Sequence, residues 1–173
     1  MRISWTGLRR RWGALRELRG SAQWWLFLRA LVFAAAVPLL FRLKFSTITG
    51  WLERRTRTDN TAMPDSTRVE QTIRCVELAR SIGSPLVRQT CLTRGVTHYF
   101  FLRRAGLPVS LCFGAAMKNG ALTQQVGHCW LVKDGEPFLE NSDPRRQFLP
   151  VFSLPESVRQ RKENADRQMT KKA

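Results

Sequence analysis

Histidine, cysteine and acid are the scarce components of this chain: its 173 residues include 2 His, 4 Cys and 13 Asp/Glu, against 29 Lys/Arg. Four cysteines (Cys75, Cys91, Cys112, Cys129) are too few over this length to stand in for a hydrophobic core. That excludes a disulfide-stapled miniprotein and reads them as free thiols. No pair has CxxC spacing, and His98 and His128 are the only imidazoles, so neither a structural metal site nor any other cofactor is expected. What the chain does have is apolar material, 43% of its residues, enough for the core of a single domain. Full disorder and a two-domain enzyme are both excluded.

The excess of base is uneven. Residues 1–58 carry 12 Lys/Arg against 2 Asp/Glu, residues 59–150 carry 11 against 8, and residues 151–173 carry 6 against 3. Basicity therefore belongs mainly to an N-terminal extension, and an electrostatic partner is to be sought there. In that extension Arg9, Arg10, Arg11, Arg16 and Arg19 precede a nearly unbroken apolar stretch, Trp24 to Phe41, which ends against Arg42 and Lys44. A helix over 22–41 would be apolar all round, so it is either buried against protein or meets lipid. Its length sits at the lower edge of the roughly 17 to 25 residues that cross a bilayer. Arg29 and Pro38 argue against spanning, and Arg29 also breaks the apolar run that a secretory signal needs. Two readings stay open: a helix docked on its own domain, or one in or across a membrane, with the basic flanks contacting anionic lipid. The protein is read as cytoplasmic in either case, membrane-associated through residues 22–41 in the second.

A linker rich in Thr, Arg and Asn follows at about residues 54–65, then a core over residues 65–155 and a basic tail, 156–173, read as disordered. Asp65 or Ser66 can cap a helix whose apolar face is Val69, Ile73, Val76, Leu78 and Ala79 and which ends at Gly83-Ser84-Pro85. A second helix starts near Gln89 to Cys91 and runs to Arg104, with Gly106 as its stop. After Pro108 the pattern turns to short β-type runs: Val109 to Met117, Val126 to Lys133, and Phe138 to Leu139, separated by Lys118-Asn119-Gly120 and Asp134-Gly135. The order predicts an α+β fold, helices first and an antiparallel sheet afterwards.

Within this frame Cys91 stands at the predicted start of a helix, where unpaired N–H groups and the positive end of the dipole favour a thiolate. His128 lies in the strand-like Gly127-His128-Cys129-Trp130-Leu131-Val132; packed against that helix start, it could take the thiol proton, as acyl transfer requires. His98 is seven residues beyond Cys91, about 10 Å along the helix, and reads as a packing or surface histidine. A third group should orient the imidazole. A three-residue Lys133-Asp134-Gly135 loop pairs Val132 with Glu136 and so places Glu140 opposite His128. A two-residue turn would instead bring Asn141 there, and a bulge would bring Asp143 near.

Cys91-Leu92-Thr93-Arg94, the run Leu102-Arg103-Arg104-Ala105-Gly106-Leu107-Pro108-Val109, the strand Leu111-Cys112-Phe113-Gly114, and His128 to Gly135 resemble the transglutaminase-like cysteine proteases of lasso peptide biosynthesis. These are the B2 proteins, related to the C-terminal domain of the microcin J25-processing protein, and the likeness runs over about residues 20–155. It implies a papain/transglutaminase-like core and a leader peptidase acting on a ribosomal precursor peptide, with Cys91 as nucleophile, His128 as base and Glu140 as the acid. Cys129 replaces the alanine usual after the histidine, and Glu140 replaces the commoner aspartate. The winged-helix recognition domain of fused members finds no room here, which implies a separate leader-recognition protein, acting with an ATP-dependent lasso cyclase. Three rivals are weighed against this: a non-catalytic membrane-proximal scaffold of the maturation complex, transamidation by the same Cys/His pair, and nucleic-acid binding, which the charge alone suggests and the absence of a basic recognition helix opposes.

Overall fold

The computed structural model describes residues 18, 20–56, 65–84, 86–118 and 121–155. Helices come first: α1 (Ser21–Leu40), α2 (Phe45–Thr56), α3 (Ser66–Ile82) and α4 (Cys91–Arg104). Then follow β1 (Val109–Lys118), β2 (Ala121–Lys133), β3 (Glu136–Phe138), a 3-10 turn (Pro144–Arg146) and β4 (Phe148–Leu154). The strands make one antiparallel sheet in the order β3-β2-β1-β4. The chain is thus α+β, helices then antiparallel sheet, with an apolar helix at the front. The arginines before residue 18, most of the linker, the Asn119-Gly120 turn and the tail from Glu156 onward lie outside the described residues.

Local chemistry explains where the elements begin and end. Asp65 caps α3 by accepting from Thr67 N at 3.0 Å. Thr72, Cys75, Val76, Leu78 and Ala79 are its buried face, leaving Val69 and Ile73 half-buried at its margin. Gly106, at φ 93°, takes the left-handed conformation that closes α4. Helix α4 is central: Gly95 through Leu102 are all buried, with Val96, Tyr99 and Leu102 fully so. It lies between the other helices and the sheet, where Val109, Leu111, Leu131 and Leu154 complete the same hydrophobic cluster.

Helix α1 belongs to that cluster too. Phe27, Ala30, Ala34 and Val37 recur at helical spacing and are buried. Phe33 stacks on Phe100 of α4 at 4.4 Å between ring centroids, and Trp51 of α2 stacks on Phe100 at 5.7 Å with an interplanar angle of 1°. Of the two openings left for this helix, docking is therefore realised along one stripe. By length and composition α1 is also long and apolar enough to cross a membrane.

The hairpin corrects one expectation. Lys133 pairs with Glu136, Val132 with Pro137 and Leu131 with Phe138, so the turn is the two-residue Asp134-Gly135, not a three-residue loop. Both turn residues have positive φ, 52° and 86°, the geometry whose twist matches antiparallel strands. Strand β3 accordingly starts at Glu136, two residues earlier than expected, and stops at Phe138. Strand β2 is longer than its apolar run, starting at Ala121. Helix α2 and strand β4 were not anticipated.

Candidate active site

Thr90 fixes the start of α4. In extended backbone (φ −105°, ψ 156°), its hydroxyl accepts from Thr93 N at 3.2 Å and its carbonyl from Arg94 N at 3.1 Å. Two N–H groups of the first turn, those of Cys91 and Leu92, then have no acceptor among the described residues. Open N–H groups at a helix start suit an anion. Cys91 is the first residue of that turn and is half-buried.

His128 sits on β2 opposite Gly114 of β1. Its ring stacks on Trp130 at 5.9 Å and on Phe148 of β4 at 5.0 Å. Phe148 lies one strand beyond β1, and bare Gly114 makes that reach possible. A Cβ at Gly114 would come within 2.7 Å of the Trp130 ring and 3.0 Å of Leu149 O. The His128 side chain keeps 25% of its surface open to solvent, and its Nε2 lies 3.9 Å from Glu140 Oε2.

Glu140 reaches His128 by a route other than strand register. The ladder extrapolates to Asn141 opposite His128, but it ends at Phe138. Leu139 then adopts φ 62°, a left-handed conformation rare for a branched residue, and the chain turns out of the strand. Arg94 of α4 holds it there: its guanidinium donates to Leu139 O and contacts Glu140 Oε1 at 3.3 Å. Arg94 also reaches Glu77 of α3 at 3.5 Å, and Glu77 pairs with Arg80 at 3.0 Å. A charged chain, Arg80–Glu77–Arg94–Glu140, thus runs from α3 across α4 to the histidine.

The structure therefore brings His128 and Glu140 together and ties the acid to the helix that Cys91 begins. It does not join Cys91 to His128 by a hydrogen bond; among the described residues the sulfur has no such partner. Asp143 is engaged elsewhere, accepting from Arg145 N at 3.0 Å, which together with the Arg145 guanidinium holds its carboxyl below the usual range. Asn141 is exposed and makes no hydrogen bond with His128. His98 is a packing residue and not a surface one. It is fully buried, with Nδ1 3.0 Å from Arg94 O, and burial drives its pKa down to about 4 against the pull of Glu77. Its Nε2 is 3.4 Å from Glu77 Oε1 but unaligned as a hydrogen bond, as a neutral ring carrying its proton on Nδ1 requires.

Strand alternation puts Cys129 on the face opposite His128, against α4. Its Sγ lies 2.7 Å from where a Gly95 Cβ would be, and burial pushes its thiol well above the ordinary range. This cysteine is packing. Sequence reasoning quoted Arg94 within a motif without assigning it a task. The available signal was its position three residues after Cys91, on the same side of the helix. The Trp130–His128–Phe148 stack had no signal, since β4 was not foreseen.

A family model described as the transglutaminase-like superfamily, the one associated with lasso peptide biosynthesis B2 proteins, matches residues 31–153. No curated protein and no solved structure matches the chain. The matched span covers most of the chain and every residue of the site just described, and so this protein belongs to the transglutaminase-like superfamily, in the family associated with lasso peptide biosynthesis.

Proposed function

We propose that the protein is a cysteine peptidase that removes the leader from a lasso-type precursor peptide, with residues 65–155 as the catalytic core. The observation that carries this reading is the charged link from Glu140, 3.9 Å from His128, to Arg94 on the helix that opens with Cys91. Glu140 takes Nε2 of the imidazole, which leaves Nδ1 to face the sulfur. The pair closes as the precursor enters, in keeping with catalytic hydrogen bonds that tighten only in the substrate complex. His128 removes the thiol proton and Cys91 Sγ attacks the scissile carbonyl. The oxyanion is held by the N–H groups of Cys91 and Leu92, the two left open in the first turn. His128 then gives its proton to the departing amine, and a thioester remains. A water that gives a proton to His128 hydrolyses it, restoring the thiol.

The reading also includes a separate leader-recognition protein and an ATP-dependent cyclase as partners, and a cytoplasmic protein whose α1 rests against the membrane surface. One observation favours a second reading, a non-catalytic scaffold of the maturation complex: Cys91 is not hydrogen-bonded to His128 in the free protein. Precursor cleavage with the recognition partner present, followed by mass spectrometry, decides between them. Cys91→Ala is expected to abolish leader release; cleavage equal to that of the unmodified protein would overturn the peptidase reading.

A further inference from the structure

Arg29 is the anomaly of α1, the one charged side chain in that helix. It lines a cleft of about 320 Å³ between α1, α3 and the end of α4, together with Arg68 and Arg104. Trp25, Leu26 and Phe101 provide apolar wall, and no carboxylate lines the cleft. All three arginines are exposed at the cleft mouth, whereas elsewhere buried Arg80 pairs with Glu77, half-buried Arg94 with Glu140, and exposed Arg145 with Asp143 and Glu136. Arg29 and Arg68 form no ion pair among the described residues. Arg104 is oriented by Phe100, over whose ring its guanidinium carbon sits at 5.6 Å. Cationic groups gathered without a counter-charge repel one another unless an anion joins them, and a planar guanidinium matches a phosphate bidentately.

The cleft does not stand alone. Trp24, Trp25, Leu28, Val32 and Leu39 are 44%, 62%, 46%, 62% and 67% exposed. At the helical pitch they fall within about 100° of arc, with Arg29 just beyond Trp25 on the cleft side. A soluble anion has no use for such a stripe, whereas a lipid has both a phosphate for the arginines and chains for the stripe. Resting on the reading of α1 as a membrane-surface helix, we infer that the Arg29–Arg68–Arg104 cleft is a headgroup site for an anionic phospholipid. Helix α1 lies in the bilayer plane beside it, with its tryptophans at the interface.

Vesicle co-sedimentation of the full-length chain tests this, using phosphatidylcholine alone and phosphatidylcholine with phosphatidylglycerol. Binding is expected on the anionic vesicles and not on the neutral ones. Arg29→Gln/Arg68→Gln should weaken it about tenfold or more, since each basic residue at the surface contributes on the order of 1 kcal/mol. Arg54→Gln/Arg146→Gln removes the same charge away from the cleft and should weaken it markedly less. Leu28→Ser/Val32→Ser should weaken it with the charge unchanged. Equal loss in the two arginine pairs, equal binding to neutral vesicles, an unaffected serine variant, or full release by millimolar inorganic phosphate would each overturn the proposal. Thermal melts confirm that the variants are folded. Cys91→Ala should bind vesicles as the unmodified chain does, so loss of lipid binding and loss of peptidase activity are read separately.

Discussion

Arg94 joins three elements through one guanidinium: its own helix, Glu77 of α3, and the Leu139–Glu140 segment that leaves β3. In the peptidase reading it touches neither substrate nor sulfur, so it is a positioning residue, acting on His128 through Glu140. Removing it frees the carboxylate and leaves Glu77 and Glu140 without their shared cation. Arg94→Gln is expected to lower kcat/KM for leader cleavage by about 10- to 100-fold, the scale on which displaced supporting groups act. Glu140→Gln should do the same, and the double variant should be hardly worse than either single one, because both break one unit. Precursor-cleavage kinetics on the four proteins check this. Multiplicative losses would show that Arg94 works independently of the acid.

Helix α4 meets the sheet through a contact between Gly95 and Cys129. A Cβ at Gly95 would lie 2.7 Å from Cys129 Sγ and 3.0 Å from Leu111 Cδ1. Alanine ordinarily gains about 1 kcal/mol over glycine inside a helix, but overpacking a tight core costs about 1 to 3 kcal/mol. Gly95→Ala is therefore expected to destabilise. Cys129→Ala in the same chain should recover most of the loss, because the sulfur is the nearest obstacle. Urea denaturation of the two single variants and the pair measures it, and a pair no more stable than Gly95→Ala alone would refute it.

The elements also show what could be read in advance. Helices α3 and α4 were legible because Asp65, Gly83 and Gly106 mark their ends by local chemistry. The hairpin was placed correctly but its register stayed open between two alternatives, because Asp134-Gly135 suits both a two- and a three-residue loop. Glu140 was nonetheless the residue named, and it lies by His128 for a different reason: the left-handed backbone at Leu139, which no pairing rule foretells. Helix α2 escaped because its buried positions Ile48, Leu52 and Thr56 are four apart among threonines and arginines. Strand β4 escaped because Pro150 obscures it, a residue tolerated there because β4 is an edge strand.

At the scale of the whole molecule, the buried His98 makes stability depend on acid. Its folded pKa, about 4, lies below the ordinary histidine value of 6.5, so between those values the unfolded chain holds the extra proton. Stability contributed by keeping this ring neutral is complete above the unfolded value and is lost as pH falls toward the folded one. The loss from pH 7 to pH 4 is on the order of 3 kcal/mol. Urea midpoints across that range should fall, and His98→Asn should flatten the slope by about one proton, whatever its absolute stability. An unchanged slope would place the acid sensitivity elsewhere.

The aromatic stack on Phe100 also restricts what the first helix can do. Threading α1 through a bilayer would peel Phe33 from Phe100 and strip the cover from Ala30, Ala34 and Val37, which are now fully enclosed. Each large apolar group left facing water on the body, Phe100 first among them, costs about 1.5 to 3 kcal/mol. An embedded rod and an intact folded body are thus competing uses of the same side chains. Attachment that keeps the site assembled has to be shallow, made with the half of the cylinder that the protein leaves bare.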